Sequence, residues 1–205
     1  MLEISNLSVN YGAIQAVKGF TGTALKGHIT GILGANGAGK SSLLRAISGL
    51  SSTTGGTIKL DGRDITKLSA SMRAKLGIAH AMEGRRLFRH LTVAENLRLG
   101  WSFGARKTSL KHALDDVFDR FPILAEKSKS QAGLLSGGQQ QMMILSCATI
   151  REPRVLLLDE PLSALDAKLR AQMQFELSDL QDQVGITFVT VTHDQDEALS
   201  MASRI

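Results

Sequence analysis

Residues Gly34 to Ser41, Gly-Ala-Asn-Gly-Ala-Gly-Lys-Ser, fit the pattern G-x-x-x-x-G-K-[ST], and they constrain this chain more than any other segment. An apolar run with β-branched residues, His28 to Leu33, precedes them, and Ser42 to Leu50 follows with Leu43, Leu44 and Ile47 on one helical side. Strand, glycine-rich turn and helix in that order form a phosphate cradle. The glycines let successive backbone N–H groups converge on phosphate oxygens, and the helix N-terminus adds partial positive charge. Lys40 reaches the β- and γ-phosphates, and the Ser41 hydroxyl coordinates Mg²⁺. The nucleotide set is therefore Gly34, Asn36, Gly37, Ala38, Gly39, Lys40, Ser41 and the adjacent Ser42. A nucleotide with Mg²⁺ is the expected ligand.

A second chemical signal lies far along the chain. Val155-Leu-Leu-Leu-Asp-Glu160 is an apolar strand ending in two acids. Ligands of open parallel sheets sit at the carboxyl ends of strands, so Asp159 emerges where the phosphates lie. Asp159 is expected to hold Mg²⁺ through water, and Glu160 to polarise the water that attacks the γ-phosphate. A positioned general base is worth roughly 10²–10⁴-fold in rate.

Between these signals the hydrophobic period changes. The first thirty residues read as short strands punctuated by Gly12, Gly19 and Gly22, and Thr57 to Leu60 is a strand closed by Asp61-Gly62. From Thr92 to Ile150 the period is helical: Val93 and Leu97, then Leu110, Leu114, Val117 and Phe121, with Pro122 ending that helix. A helix follows Gly137-Gly138 and carries Met142, Leu145 and Ala148. Helix 166–184 shows the stripe Leu169, Met173, Leu177, Leu180 and Val184; Ile186 to Val191 is a buried strand, and a last helix begins near Asp194. The pattern is an α/β core interrupted by a helical insertion.

Composition narrows the classes. The chain has 205 residues, 43% of them apolar and 21% charged, which suits a globular core and excludes disorder. Cys147 is the only cysteine, so no intramolecular disulfide forms. Aromatics at 4% are too few for stacking platforms on single-stranded nucleic acid. No segment has the ~20 apolar residues of a membrane span, and the N-terminus has no secretory leader pattern. The net charge is +5, yet segment 84–130 holds ten Lys or Arg against five acids and the remainder holds fourteen of each. That segment carries the whole excess, which suits anionic headgroups or acidic protein loops better than a nucleic-acid groove.

Leu135-Ser136-Gly137-Gly138-Gln139, taken alone, is a serine-capped helix start. Its place between the phosphate cradle and the Asp159-Glu160 strand gives it weight. With Tyr11, the loop 34–41, the region of Glu83, Ser163-Ala-Leu-Asp166 and His193 in order, the chain resembles the ATP-binding cassette family of transport ATPases along essentially its whole length. The resemblance implies a P-loop NTPase core with a mostly parallel sheet, an antiparallel N-terminal β-subdomain and an inserted helical subdomain. The core is expected at 1–83 and 151–205, and the helical subdomain at 84–150, within one domain.

The resemblance also implies a head-to-tail pair of cassettes, homo- or heterodimeric, sandwiching two ATP molecules. Each ATP sits between one chain's phosphate loop and the partner's Ser136, Gly137, Gly138 and Gln139. Tyr11 stacks on adenine, His193 touches the γ-phosphate and orients the Glu160 water, and Asp166 communicates across the dimer. Glu83 stands where many relatives have glutamine, and its carboxylate is expected to contact Mg²⁺ or water. Cys147 replaces a charge common in relatives and is expected to weaken contacts around the nucleotide sites. The chain ends where relatives add a further strand, which reads as a short cassette.

The implied activity is ATP hydrolysis that drives solute import through separate transmembrane permease subunits, at the cytoplasmic face of the inner membrane. No nucleic acid is expected as a partner. Tyr11-Gly-Ala-Ile-Gln-Ala16 and Glu83-Gly-Arg85 resemble branched-chain amino-acid importer cassettes, and make an amino acid the expected solute. Pro161 to Arg170 and Thr192-His-Asp-Gln195 resemble polyamine, sulfate or sugar importer cassettes instead. Two other readings stay open: a soluble cassette protein acting on nucleic acid or ribosomes, and a poorly hydrolysing ATP-dependent dimerisation switch.

Overall fold

Alternate residues of one strand, Val155 to Asp159, face two different cores, and this is what layers the molecule. The computed structural model describes all residues except 85–86, 104–107, 164, 166 and 202–205, and omits the side chains of 168, 169, 172 and 184. Strands β3 (Ile29–Leu33), β6 (Ile78–Ala81), β7 (Val155–Asp159) and β8 (Thr187–Thr192) form a parallel sheet in the order β3-β8-β7-β6. Every residue of β7 and β8 is buried, as expected for strands covered on both faces.

Val155 and Leu157 pack with Leu43, Leu44 and Ile47 of helix α1 (Lys40–Ser48). Leu156 and Leu158 pack instead with Met173, Leu177 and Leu180 of helix α7 (Ala167–Val184) and with Ile144, Leu145 and Ala148 of helix α6 (Gly137–Thr149). Met173, Leu177 and Leu180 are the expected helical stripe; its other members, Leu169 and Val184, have side chains outside the described ones. The α1 core also takes in a second sheet of order β2-β1-β4-β5, built from β1 (Leu2–Tyr11), β2 (Ile14–Ala24), β4 (Gly55–Leu60) and β5 (Arg63–Asp64), all antiparallel.

A third cluster lies within helices. Val93 and Leu97 of α3 (Val93–Ser102), Ala113 and Val117 of α4 (Leu110–Arg120), Leu124 of α5 (Pro122–Glu126) and Met143 of α6 pack together. Helix α6 therefore serves two cores, since Ile144 and Leu145 point to the sheet while Met143 points to the helices.

Four details depart from the sequence reading. Gly19 and Gly22 lie inside β2, because Gly19 (φ 62°) and Asn6 (φ 50°) take up a bulge where the β1–β2 register shifts. Pro122 does end α4, but it also starts α5, where its missing N–H costs nothing. Helix α2 (Ala70–Lys75) and strand β6 were not apparent. Six helical residues and the tetrapeptide Ile-Ala-His-Ala are too short to show a period. What fixes α2 is Arg73, 2% exposed, whose guanidinium donates to the carbonyls of Ala46, Ile47, Thr66 and Leu68. The last turn of α1 thereby finds partners for its orphan carbonyls.

Candidate functional site

Sheet register brings together motifs that are far apart in sequence. Leu33 of β3 pairs with Thr192 of β8, and Asp159 of β7 pairs with Val191 of β8. The next residues, Gly34, His193 and Glu160, therefore leave three adjacent strands at one edge of the sheet. Strand polarity aims them all the same way, where a ligand of a parallel sheet belongs.

The loop 34–39 turns into α1 through Gly39, the helix N-cap, at φ 90°. A side chain there is excluded twice, since a Cβ would lie 2.1 Å from the Ala16 carbonyl oxygen. Gly34 is under no such demand, its nearest Cβ contact being an ordinary 3.4 Å. Asn36, Gly37 and Ala38 are exposed at the crest of the loop. Lys40 is 8% exposed and bends back over the loop, donating from Nζ to the carbonyls of Gly34 (2.8 Å) and Ala35 (3.1 Å). The same Nζ lies 3.3 Å from Glu160 Oε1.

Ser41 Oγ donates to Asp159 Oδ1 at 2.9 Å. Burial pushes the Asp159 carboxyl above the usual aspartate range, the Ser41 hydrogen bond pulls it partly back, and the Glu160 charge pushes up again. Glu160 itself sits at φ 47°, unusual for a residue with a side chain. Its N–H donates to the Val191 carbonyl (3.1 Å), while its own carbonyl accepts from the N–H and hydroxyl of Ser163. Locked this way, its carboxylate meets Lys40 through Oε1 and His193 Nδ1 through Oε2, the latter at 3.1 Å. Such backbone strain at a carboxylate flanked by a lysine and a histidine is a mark of functional geometry.

The other expected residues divide. Tyr11 is 44% exposed; its hydroxyl is 2.9 Å from Ser51 Oγ, a contact that lowers its pKa, and its ring remains open to solvent. Ser42 is half-buried on α1 and also interacts with the Tyr11 hydroxyl. Ser136 caps α6 in a capping box: its Oγ accepts from Gln139 N–H, and its own N–H donates to Gln139 Oε1. Within that box Ser136 Oγ acts as an acceptor only, so the box does not use its proton. Glu83 lines a cavity of about 550 Å³ together with Asp159, Glu160, Ser163, Gln140 and Gln141. Asp166 lies outside the described residues, as do Arg85, Arg86, Arg106 and Lys107 of the basic segment.

Gln140, Gln141 and Ile144, which are not among the residues expected from sequence, also line that cavity. Their spacing from Gly137, at three, four and seven residues, is the signal that places them on one helical face. Cys147 requires a correction. Its side chain packs in the helical cluster, and its backbone carbonyl abuts Gly100 of α3, so it faces away from the nucleotide loops.

Residues 17–163 match the family model described as ABC transporter. Over its whole length the chain is 41% identical to the spermidine/putrescine import ATP-binding protein PotA of Aggregatibacter actinomycetemcomitans, covering 54% of that protein. It is 40% identical to PotA of Pseudomonas aeruginosa, covering 56%. The chain thus spans about half the length of the curated relatives it matches. A dimeric post-hydrolysis structure of an ATP-binding cassette bound to ADP and phosphate superposes with a TM-score of 0.86, at 26% identity, over 98% of this chain and 91% of that one. The amino-acid solute expected from the N-terminal motifs finds no support, because these relatives are named for polyamine import. With the cradle, the acid pair and the fold in agreement, the chain belongs to the ABC transporter family and carries its ATPase domain.

Proposed function

We propose that this chain binds and hydrolyses ATP, pairs with a second cassette, and powers polyamine import through separate permease subunits at the cytoplasmic face of the inner membrane. The observation that carries the hydrolytic part is Glu160, held at φ 47° with one carboxylate oxygen toward Lys40 and the other toward His193. Among the described residues no helix is long and apolar enough to cross a membrane. Relatives at 40–41% identity along the whole chain supply the solute class.

The residues present fit a nucleotide with Mg²⁺. Gly39 leaves no room for a side chain but turns α1's N-terminus toward the loop, and the Ser41–Asp159 hydroxyl–carboxylate pair is an all-oxygen donor set suited to a hard cation. Ser41 and Asp159 would hold Mg²⁺, with Glu83 facing the same cavity; the ion supplies charge neutralisation of the phosphates. Lys40 exchanges its bonds to Gly34 and Ala35 for phosphate oxygens. Glu160 accepts the proton of the attacking water, and His193 fixes the orientation of that carboxylate. Ser136 to Gln139 offer a capped helix N-terminus to the ATP held by the second cassette, the anion site that residues 34–41 provide in their own chain. Asp166 is assigned to contact between the two cassettes, and Tyr11 to the adenine.

The test is uptake of radiolabelled spermidine by cells that carry this chain and its permease subunits. Uptake that depends on the chain and is lost in Glu160→Gln supports the reading. Normal uptake in the Glu160→Gln strain contradicts it.

A further inference from the structure

Thr192, the last residue of β8, connects three parts of the site. Its carbonyl accepts the N–H of Gly34, the first residue of the phosphate loop, at 3.3 Å. Its hydroxyl oxygen accepts the N–H of Asp194 at 3.1 Å and donates its proton to Glu197 Oε2 at 2.7 Å. Because a threonine has a single O–H, the acceptor in helix α8 (Gln195–Met201) decides which way the hydroxyl turns. His193 sits inside this clamp, between the residue that is gripped and the residue that grips.

Glu197 is an unusual choice for that position. It is 5% exposed, and its second oxygen, Oε1, is buried with no hydrogen-bond partner among the described residues. Its charged neighbours are Asp194 and Glu160, which repel it, and Arg170 of α7, which attracts it. Arg170 also approaches Asp194 at 3.5 Å and donates to the Leu165 carbonyl. Asp194 in turn accepts from the N–H groups of Asp196 and Glu197 and starts α8. A carboxylate kept here against burial and two like charges costs stability, so folding alone does not account for it. The contact it secures is the one that aims His193.

We infer that Glu197 is a positioning residue: by orienting the Thr192 hydroxyl it fixes the 192–194 turn and thereby sets His193 against Glu160. The role rests on the ATPase reading above, but its geometry can be tested without turnover. Glutamine at 197 keeps an oxygen for Thr192, whereas alanine removes it. A side-chain shift of about an ångström at a reacting group is worth up to about 100-fold in rate.

The test measures steady-state ATP hydrolysis and the imidazole ring NMR signal of His193, identified as the one missing in His193→Ala. Glu197→Ala and Thr192→Val should each lower kcat by about tenfold or more while KM for ATP changes less than about twofold. Both should move the His193 signal toward its position in Glu160→Ala, and Glu197→Gln should restore kcat and signal together. If Glu197→Ala destabilises the fold, Thr192→Val still reads the contact. A His193 signal unmoved by loss of the 197–192 contact, or a Glu197→Gln variant as impaired as Glu197→Ala, overturns the inference. If the parent chain shows no ATP hydrolysis at all, the ATPase reading fails, and the NMR arm alone decides the role of Glu197.

Discussion

His193 Nδ1 lies 3.1 Å from Glu160 Oε2, although 33 residues separate the two. The contact exists because β7 and β8 are parallel neighbours and each residue is the first to leave its strand. Lys40 reaches the opposite oxygen of the same carboxylate at 3.3 Å. The carboxylate therefore stands between two nitrogen groups, Lys40 Nζ and His193 Nδ1.

The two glycines flanking the loop should respond differently to the same change. Gly39→Ala combines a φ of 90° with a 2.1 Å approach to the Ala16 carbonyl, so it should lose about 3 kcal/mol of stability and most nucleotide affinity. Gly34→Ala meets only ordinary contacts and should cost less than about 1 kcal/mol. Thermal denaturation with and without ATP reads both.

Asp159 is held at a cost to the fold. Its pKa is raised by burial, so the native state binds its proton more tightly than the unfolded chain does. Stability then falls as pH climbs from the ordinary aspartate value through the raised folded one. Asp159→Asn removes the charge, and should raise Tm at neutral pH with the gain fading toward acidic pH, while ATP turnover is lost. A Tm gain that did not depend on pH would show that the charge is not the cause.

Cys147 is half-buried against the helical cluster, and desolvation there pushes its thiol up to about 12. A disulfide reagent at pH 8 should therefore label the folded chain at least about 100-fold more slowly than the denatured chain. Cys147→Ala should leave ATP turnover unchanged, since its neighbours are α3 residues and not the nucleotide loops.

What could be read ahead of the structure follows from range. The phosphate loop was legible because its glycines, Lys40 and Ser41 stand together in one short run of sequence, although the Ala16 carbonyl that also demands Gly39 lies in β2. Strand β7 was legible because burial on both faces writes an unbroken apolar run from Val155 to Leu158, and β8 because its residues 187–192 are β-branched or aromatic. Arg73 was not, because its four carbonyl partners come from two separate segments, 46–47 and 66–68, and an arginine in a short polar run looks solvent-facing. The Thr192–Glu197 clamp was hidden for a related reason. A glutamate on a seven-residue helix reads as surface, and its burial depends on α7, α8 and β8 meeting. Cys147 was misplaced because one residue of a helix that serves two cores can face either, and only packing decides.

The proposed hydrolysis turns on Glu160 as the base. Purified chain and its Glu160→Gln variant should be compared for ATP hydrolysis, ATP binding and ATP-driven dimerisation in the same buffer. Turnover lowered by at least about 100-fold, with binding and dimerisation retained, is the predicted result. Hydrolysis by Glu160→Gln at the parental rate would contradict the role of Glu160 as the base.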